Sequence, residues 1–204
     1  MGLSRSPTVQ TLAIFCVVFA LQSAIRLVSL PLAVSLFTLA PPVTVRPWSL
    51  PLSVYAHANL AHLFSNAIAL LFAGLLIERV TTTMRFHAYF LTVGILAGVS
   101  QVWIDGLVGS ARPVLGASGA VFGLFGYLLA GNPMADAVLG KLRLSRRGQI
   151  VVVLALAFLA TLTTAAPGVA LIAHFTGFAV GLIAGRLHIL RVETQATSND
   201  RAVQ

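Results

Sequence analysis

Six stretches of this chain are apolar enough to require a lipid solvent, and few charges interrupt them. They cover about residues 8–28, 60–79, 86–108, 117–131, 149–164 and 168–188. A membrane-spanning helix needs roughly 20 mostly apolar residues. Of 204 residues, 58% are hydrophobic and only 9% are charged, where about 25% is usual in a soluble domain. A water-soluble globule cannot clothe itself with so few charges. Abundant apolar surface likewise excludes a disordered chain. The single Cys16 allows neither an internal disulfide nor a Cys-rich metal module. The expected fold is all-α: a polytopic bundle of six transmembrane helices over residues 1–192, then a short polar tail at 193–204. Pro113, Pro133 and Pro167 fall between spans, where a missing N–H does little harm.

The charges that remain are unevenly placed. With a cytoplasmic N-terminus, Arg5, Arg79, Arg85, Lys141, Arg143, Arg146, Arg147, Arg186, Arg191 and Arg201 share one side. Arg26, Arg46 and Arg112 fall on the other. This asymmetry is a positive-inside signal that puts both termini in the cytoplasm of a multi-pass cell-membrane protein. The run KLRLSRR at 141–147 then reads as an anchor beside anionic headgroups. A net charge of +8 does not indicate nucleic acid, because no aromatics alternate with the basic residues as a stacking platform requires. Residues 9–21 resemble a signal-peptide core, but the basic region before them is thin and no clean cleavage site follows. The first span is therefore expected to be retained. Residues 29–59 are apolar yet broken by Pro31, Pro41, Pro42, Pro47 and Pro51. No continuous helix can run through them. They read as an external loop dipping into the outer leaflet, with Trp48 near the interface.

Polar groups inside the spans are costly, so each calls for a reason. His62 and Asn66, four apart, share a face of the second span. Such a pair serves either as an interhelical hydrogen-bonding device or as part of a site. Ser118 opens the fourth span in Gly116-Ala117-Ser118-Gly119. Gly119, Gly123 and Gly126 form one smooth face suited to close packing, while the helix N-terminus offers free N–H groups and a positive dipole. His174 begins a second small-residue face with Gly177, Gly181 and Gly185. Apposing the two faces would bring His174 within reach of Ser118. Glu78, Asp105, His87 and His188 sit near span ends and read as solvated or capping residues, and Arg26 as a side chain that snorkels outward.

Depth agrees with this pairing. The fourth span, at about 15 residues, is only roughly 23 Å long, too short for a hydrocarbon core of about 30 Å. If it ends at the cytoplasmic surface near Asn132 and Pro133, Ser118 lies below the outer surface. His62, Asn66 and His174 fall at a similar depth.

A serine hydroxyl is a poor nucleophile until a base takes its proton. Neutral His174 can take it and later return it to a leaving amine. The Ser118 N–H, with His62 and Asn66 as side-chain donors and Gly116 beside them, would hold the oxyanion. No Asp or Glu lies at this depth, so a Ser–His dyad is the hydrolytic arrangement on offer. Phe122, one turn after Ser118, is placed to pack on the His174 ring.

These residues resemble the rhomboid intramembrane serine proteases. The strings are His57-x4-His62-x3-Asn66, Gly116-Ala117-Ser118-Gly119 and Ala173-His174-x2-Gly177-x3-Gly181, on the second, fourth and sixth spans. The resemblance covers about residues 45–190. It implies a six-helix rhomboid-like bundle opening to the extracellular side, and cleavage of transmembrane protein substrates near the outer leaflet. It also implies Ser118 as nucleophile, His174 as base, and His62 with Asn66 at the oxyanion. Residues 29–59 then match the family's laterally embedded first loop. Three departures stand out. Trp48 is followed by Ser49 where the family often has Arg, Phe122 replaces a frequent Tyr, and Thr81-Thr82-Thr83 follow Glu78-Arg79 in place of the usual glycine.

No cofactor is expected. There is no H-E-x-x-H string for zinc and no pair of intramembrane aspartates. A three-histidine metal site from His57, His62 and His174 is disfavoured by Asn66 as a neighbour and by His57 lying in the loop. Two alternatives to a protease are a rhomboid-like protein that binds membrane segments without cutting them, and a transporter. Inactive relatives typically lose the Ser or the His, and both are present here. A transporter fits poorly with the lack of intramembrane acids and of an inverted repeat.

Overall fold

The computed structural model describes residues 5–109, 112–131, 145–166 and 168–192. Among them the chain forms eight helices: α1 (Pro7–Val28), α2 (Leu30–Phe37), α3 (Ser49–Tyr55), α4 (Leu60–Ile77), α5 (Thr83–Leu107), α6 (Ser118–Ala130), α7 (Arg146–Leu162) and α8 (Leu171–Arg186). The all-α expectation holds. A count of six helices does not, because two short ones, α2 and α3, occupy the stretch read from sequence as a loop. Pro31 and Pro51 sit in their first turns, where the absent N–H had no helical partner to lose. The polar tail at 193–204, Asn132, Pro133, Lys141, Arg143, Pro167 and Arg201 lie outside the described residues.

By length and composition α1, α4 and α5 can each cross a membrane, and α6, α7 and α8 are shorter apolar helices. Local chemistry sets their starts. Ser6, Asn59, Thr82 and Ser145 cap α1, α4, α5 and α7 by accepting the backbone N–H three residues on. At α1 the cap is reinforced by Glu78, whose Oε2 accepts from the Ser6 hydroxyl at 2.6 Å and from the Thr8 N–H at 3.2 Å. A carboxylate there also meets the positive end of the helix dipole. No side chain of their own caps α6 or α8, the two helices that carry Ser118 and His174.

Unlike a soluble protein, the bundle is apolar on its outside as well as within. Phe64, Ile68 and Phe72 line an exposed face of α4, and Leu27 and Trp103 are equally open. Such surface is costly in water but neutral in lipid. The interior relies on Phe15, Leu70, Ile77, Phe86, Phe90 and Leu124, with glycines where helices touch. α6 lies at the centre and packs most extensively on α8, then on α5 and α4. A methyl group added to Gly177 would strike the Gly119 carbonyl oxygen, and one on Gly181 the Gly123 carbonyl oxygen. The two glycine faces are therefore apposed with backbone against backbone, the contact that small residues permit in lipid.

The ends of the bundle differ in charge. Arg5, Thr83, Arg85 and Arg191 meet at one end: the Thr83 hydroxyl donates to the Arg5 carbonyl, and Arg85 to that of Arg191. Arg191 also donates to the Gly131 carbonyl at 2.8 Å. Arg26 lies at the opposite end and donates to the Ala58 carbonyl at 2.9 Å.

Candidate active site

Ser118 is the first residue of α6, and His174 lies one turn into α8. The seam of glycines below them holds the two helices so close that the side chains meet. His174 Nε2 lies 2.8 Å from Ser118 Oγ. The Phe122 ring stacks on the imidazole, with centroids 4.4 Å apart and planes 16° from parallel. A stacked ring restricts rotation of the imidazole about its long axis, and Phe122 does this without the hydroxyl a Tyr would bring. His174 is buried. Its neutral form can accept the serine proton and hand it on.

The backbone leading into Ser118 is shaped by glycine. Gly116 has φ of +130°, a conformation that L side chains rarely adopt. A Cβ there would also fall 2.9 Å from His62 Nε2. The imidazole of His62 thus occupies the space a side chain at 116 would fill, two residues ahead of Ser118. The Ala58 N–H points to His62 Nδ1 at 3.4 Å, which favours the proton on Nε2, the nitrogen beside Gly116. The Asn66 amide donates to the His62 carbonyl at 2.9 Å. That bond uses one of the two hydrogens an amide nitrogen carries.

His57 is a wedge behind His62. Its backbone N–H donates to the Gln22 side chain at 3.1 Å, and its ring packs edge-on to Phe15 and His62. Burial first, and His62 second, lower its pKa to about 4, so it is neutral at pH 7. Among the described residues no group of three His, Cys, Asp or Glu side chains is placed to hold a metal ion. A cavity of about 20 Å³ adjoins Ser118, walled by Ser53, Val54, Gly94, Gly116 and Gly119. It has room for about one water.

Three residues that sequence reasoning passed over support this arrangement. Gln101 on α5 accepts from the Ala173 N–H at 3.1 Å and donates to Asp105 at 2.9 Å. It caps α8 from a neighbouring helix, one residue before His174. Tyr89 donates to the Gly123 carbonyl at 2.9 Å and ties α5 to the glycine face of α6. The Thr164 hydroxyl lies 3.0 Å from His174 Nδ1. The rule that flagged His62 and Asn66, polar groups within or beside apolar spans, applies equally to Gln101 and Thr164.

Asp105, read from sequence as a solvated or capping group, bonds Gln101, and Glu78 caps α1. His87 Nε2 lies 2.8 Å from the Gln10 amide oxygen. His188 has φ of +52° just past the end of α8.

Comparison with known proteins gives these residues a setting. The Rhomboid domain family matches residues 45–191, which takes in α3 to α8 and every site residue above. Rhomboid protease GluP of Bacillus subtilis (strain 168) is 37% identical over 82 residues, 40% of this chain and 15% of that protein. RHOMBOID-like protein 4 of Arabidopsis thaliana is 30% identical over 145 residues, 71% of this chain and 34% of that protein. The matched segments thus span about a third or less of the length of these two relatives. With the Rhomboid domain covering most of its length and apolar helices throughout, the chain is a multi-pass helical membrane protein and belongs to the rhomboid family.

Proposed function

We propose that this protein is an intramembrane serine endopeptidase that hydrolyses transmembrane substrates near the outer leaflet, with Ser118 as nucleophile and His174 as general base. The observation that carries this is the 2.8 Å contact between Ser118 Oγ and His174 Nε2, made under a stacked Phe122 ring.

The chemistry runs in two halves. His174 takes the Ser118 proton as Oγ attacks the scissile carbonyl. The resulting oxyanion is met by the Ser118 N–H at the uncapped start of α6, by His62 Nε2–H and by the second Asn66 amide hydrogen, with Gly116 keeping the backbone clear. Preorganised donors of this kind commonly contribute about 3 kcal/mol each to the transition state. Collapse expels the amine, which takes the proton from the His174 imidazolium. A water then attacks the acyl-serine, giving one proton to His174; as the acyl–oxygen bond breaks, His174 returns that proton to Ser118 Oγ and the carboxylic acid product leaves. The small-residue cavity beside Ser118 has room for that water. Gly119, Gly177 and Gly181 support the pair by setting the distance between α6 and α8. No cofactor enters any step.

In the membrane, the six apolar helices α1 and α4–α8 would each cross or nearly cross the bilayer as one unit over residues 1–192. The basic end would be cytoplasmic, with both termini there, and the Arg26 end, with the site near it, would open outward. Helix α6, with 13 residues and about 20 Å long, starts Ser118 below the outer surface.

Purified protein reconstituted with single-span reporter substrates tests the reading. The expected products are two fragments cut within the outer third of the reporter span. Intact reporters across a varied panel, or cuts only in exposed loops far from the membrane, would contradict it.

A further inference from the structure

We infer that Thr164 is the positioning residue that takes the place of a triad carboxylate, holding His174 in the tautomer able to accept the Ser118 proton. The inference rests on the dyad reading above and extends it. His174 needs an acceptor at Nδ1 so that its proton sits there and Nε2 is left as a base. The chain offers few acids for this. Among the described residues, Glu78 is bonded at the N-terminus of α1 and Asp105 to Gln101.

What faces Nδ1 is the Thr164 hydroxyl, at 3.0 Å. Thr164 lies just beyond the end of α7, in a turn where its N–H donates to the Thr161 carbonyl. The hydroxyl also donates to that carbonyl, at 2.8 Å. A hydroxyl has one hydrogen and two lone pairs. With its hydrogen on the Thr161 oxygen, Oγ1 presents a lone pair to His174 Nδ1. The proton chain then runs one way, from Ser118 Oγ–H to Nε2, from Nδ1–H to Thr164 Oγ1, and from Thr164 Oγ1–H to Thr161 O. Every member is satisfied and each bond polarises the next. In the reverse order His174 Nε2–H would donate to the serine oxygen and could not take its proton. Thr161 is itself fixed, because its hydroxyl bonds the Ala157 carbonyl at 2.8 Å. The acceptor is therefore built into the C-terminal turn of α7, and a neutral group does the orienting where water-soluble serine proteases use a buried carboxylate.

The test compares full-length wild type with Thr164→Val, which keeps shape but lacks the hydroxyl, and Thr164→Ser, which restores it. Thermal unfolding in one detergent confirms that each variant folds. The expected result is a fall in kcat of about tenfold for Thr164→Val, the size of one lost hydrogen bond. KM should stay within twofold, and Thr164→Ser should recover most of the loss. Imidazole nitrogen NMR of wild type should show His174 protonated on Nδ1, whether or not the valine variant folds. Wild-type kcat in Thr164→Val, a serine variant as impaired as the valine one, or a proton on Nε2 would each overturn the assignment. If wild type neither cleaves reporters nor reacts with an activated phosphonate while the proton sits on Nδ1, the proteolytic reading fails and the Thr164 contact stands.

Discussion

Replacing Ser118 or His174 by alanine will leave a folded membrane protein whose cleavage of a transmembrane reporter falls by about a thousandfold or more. The two changes differ in how much packing they remove. Ser118→Ala removes one oxygen at the start of α6. His174→Ala leaves Phe122 and the Ala173 N–H bond to Gln101 in place. Thermal unfolding of Ser118→Ala should thus stay close to wild type, while His174→Ala, which empties the buried space of an imidazole stacked on Phe122, should lose about 2–3 kcal/mol of stability and still fold. The double variant should lose no more than either single one, because the two groups act in a single proton transfer. Independent, multiplicative losses would mean that the 2.8 Å contact is not where the chemistry occurs.

Gly177→Ala should be among the most damaging glycine-to-alanine changes at the described residues. The added carbon has nowhere to go, because the nearest atoms are the carbonyl group and Cα of Gly119, and backbone cannot rotate aside. Overpacking of this kind costs about 1–3 kcal/mol, and a rigid backbone contact lies at the upper end. The helices must part three residues from His174, so cleavage should fall along with stability. The control is Gly106→Ala near the end of α5, where a Cβ meets nothing within 4 Å. There the exchange of glycine for a better helix former should leave stability unchanged or raise it by about 1 kcal/mol. Thermal unfolding of the pair in one detergent checks this, and equal melting temperatures would show that the α6–α8 seam is looser than described.

Much of this arrangement was legible in the sequence because lipid imposes a simple grammar. Apolar runs located α1, α4, α5, α6, α7 and α8 to within a few residues. Spacings of three and four placed Gly119, Gly123, Gly177 and Gly181 on faces that could meet. The short helices α2 and α3 were not legible, because their prolines read as breaks when they stand in first turns, and seven or eight residues carry too little periodicity. Gln101 and Thr164 were missed for a different reason. Each is a single polar side chain whose partner, Ala173 or His174, is distant in sequence. Only the packing of α5 and α7 around α8 brings them together. The tautomer of His62 likewise depends on Ala58, in a loop whose path no local pattern announces.

Incubating the folded protein with an activated fluorophosphonate and mapping the adduct by mass spectrometry tests the central claim most directly. A phosphonyl group on Ser118, formed in wild type and lost in His174→Ala, is the expected result. A wild-type protein that stays unlabelled, or that labels equally well without the His174 imidazole, would contradict it.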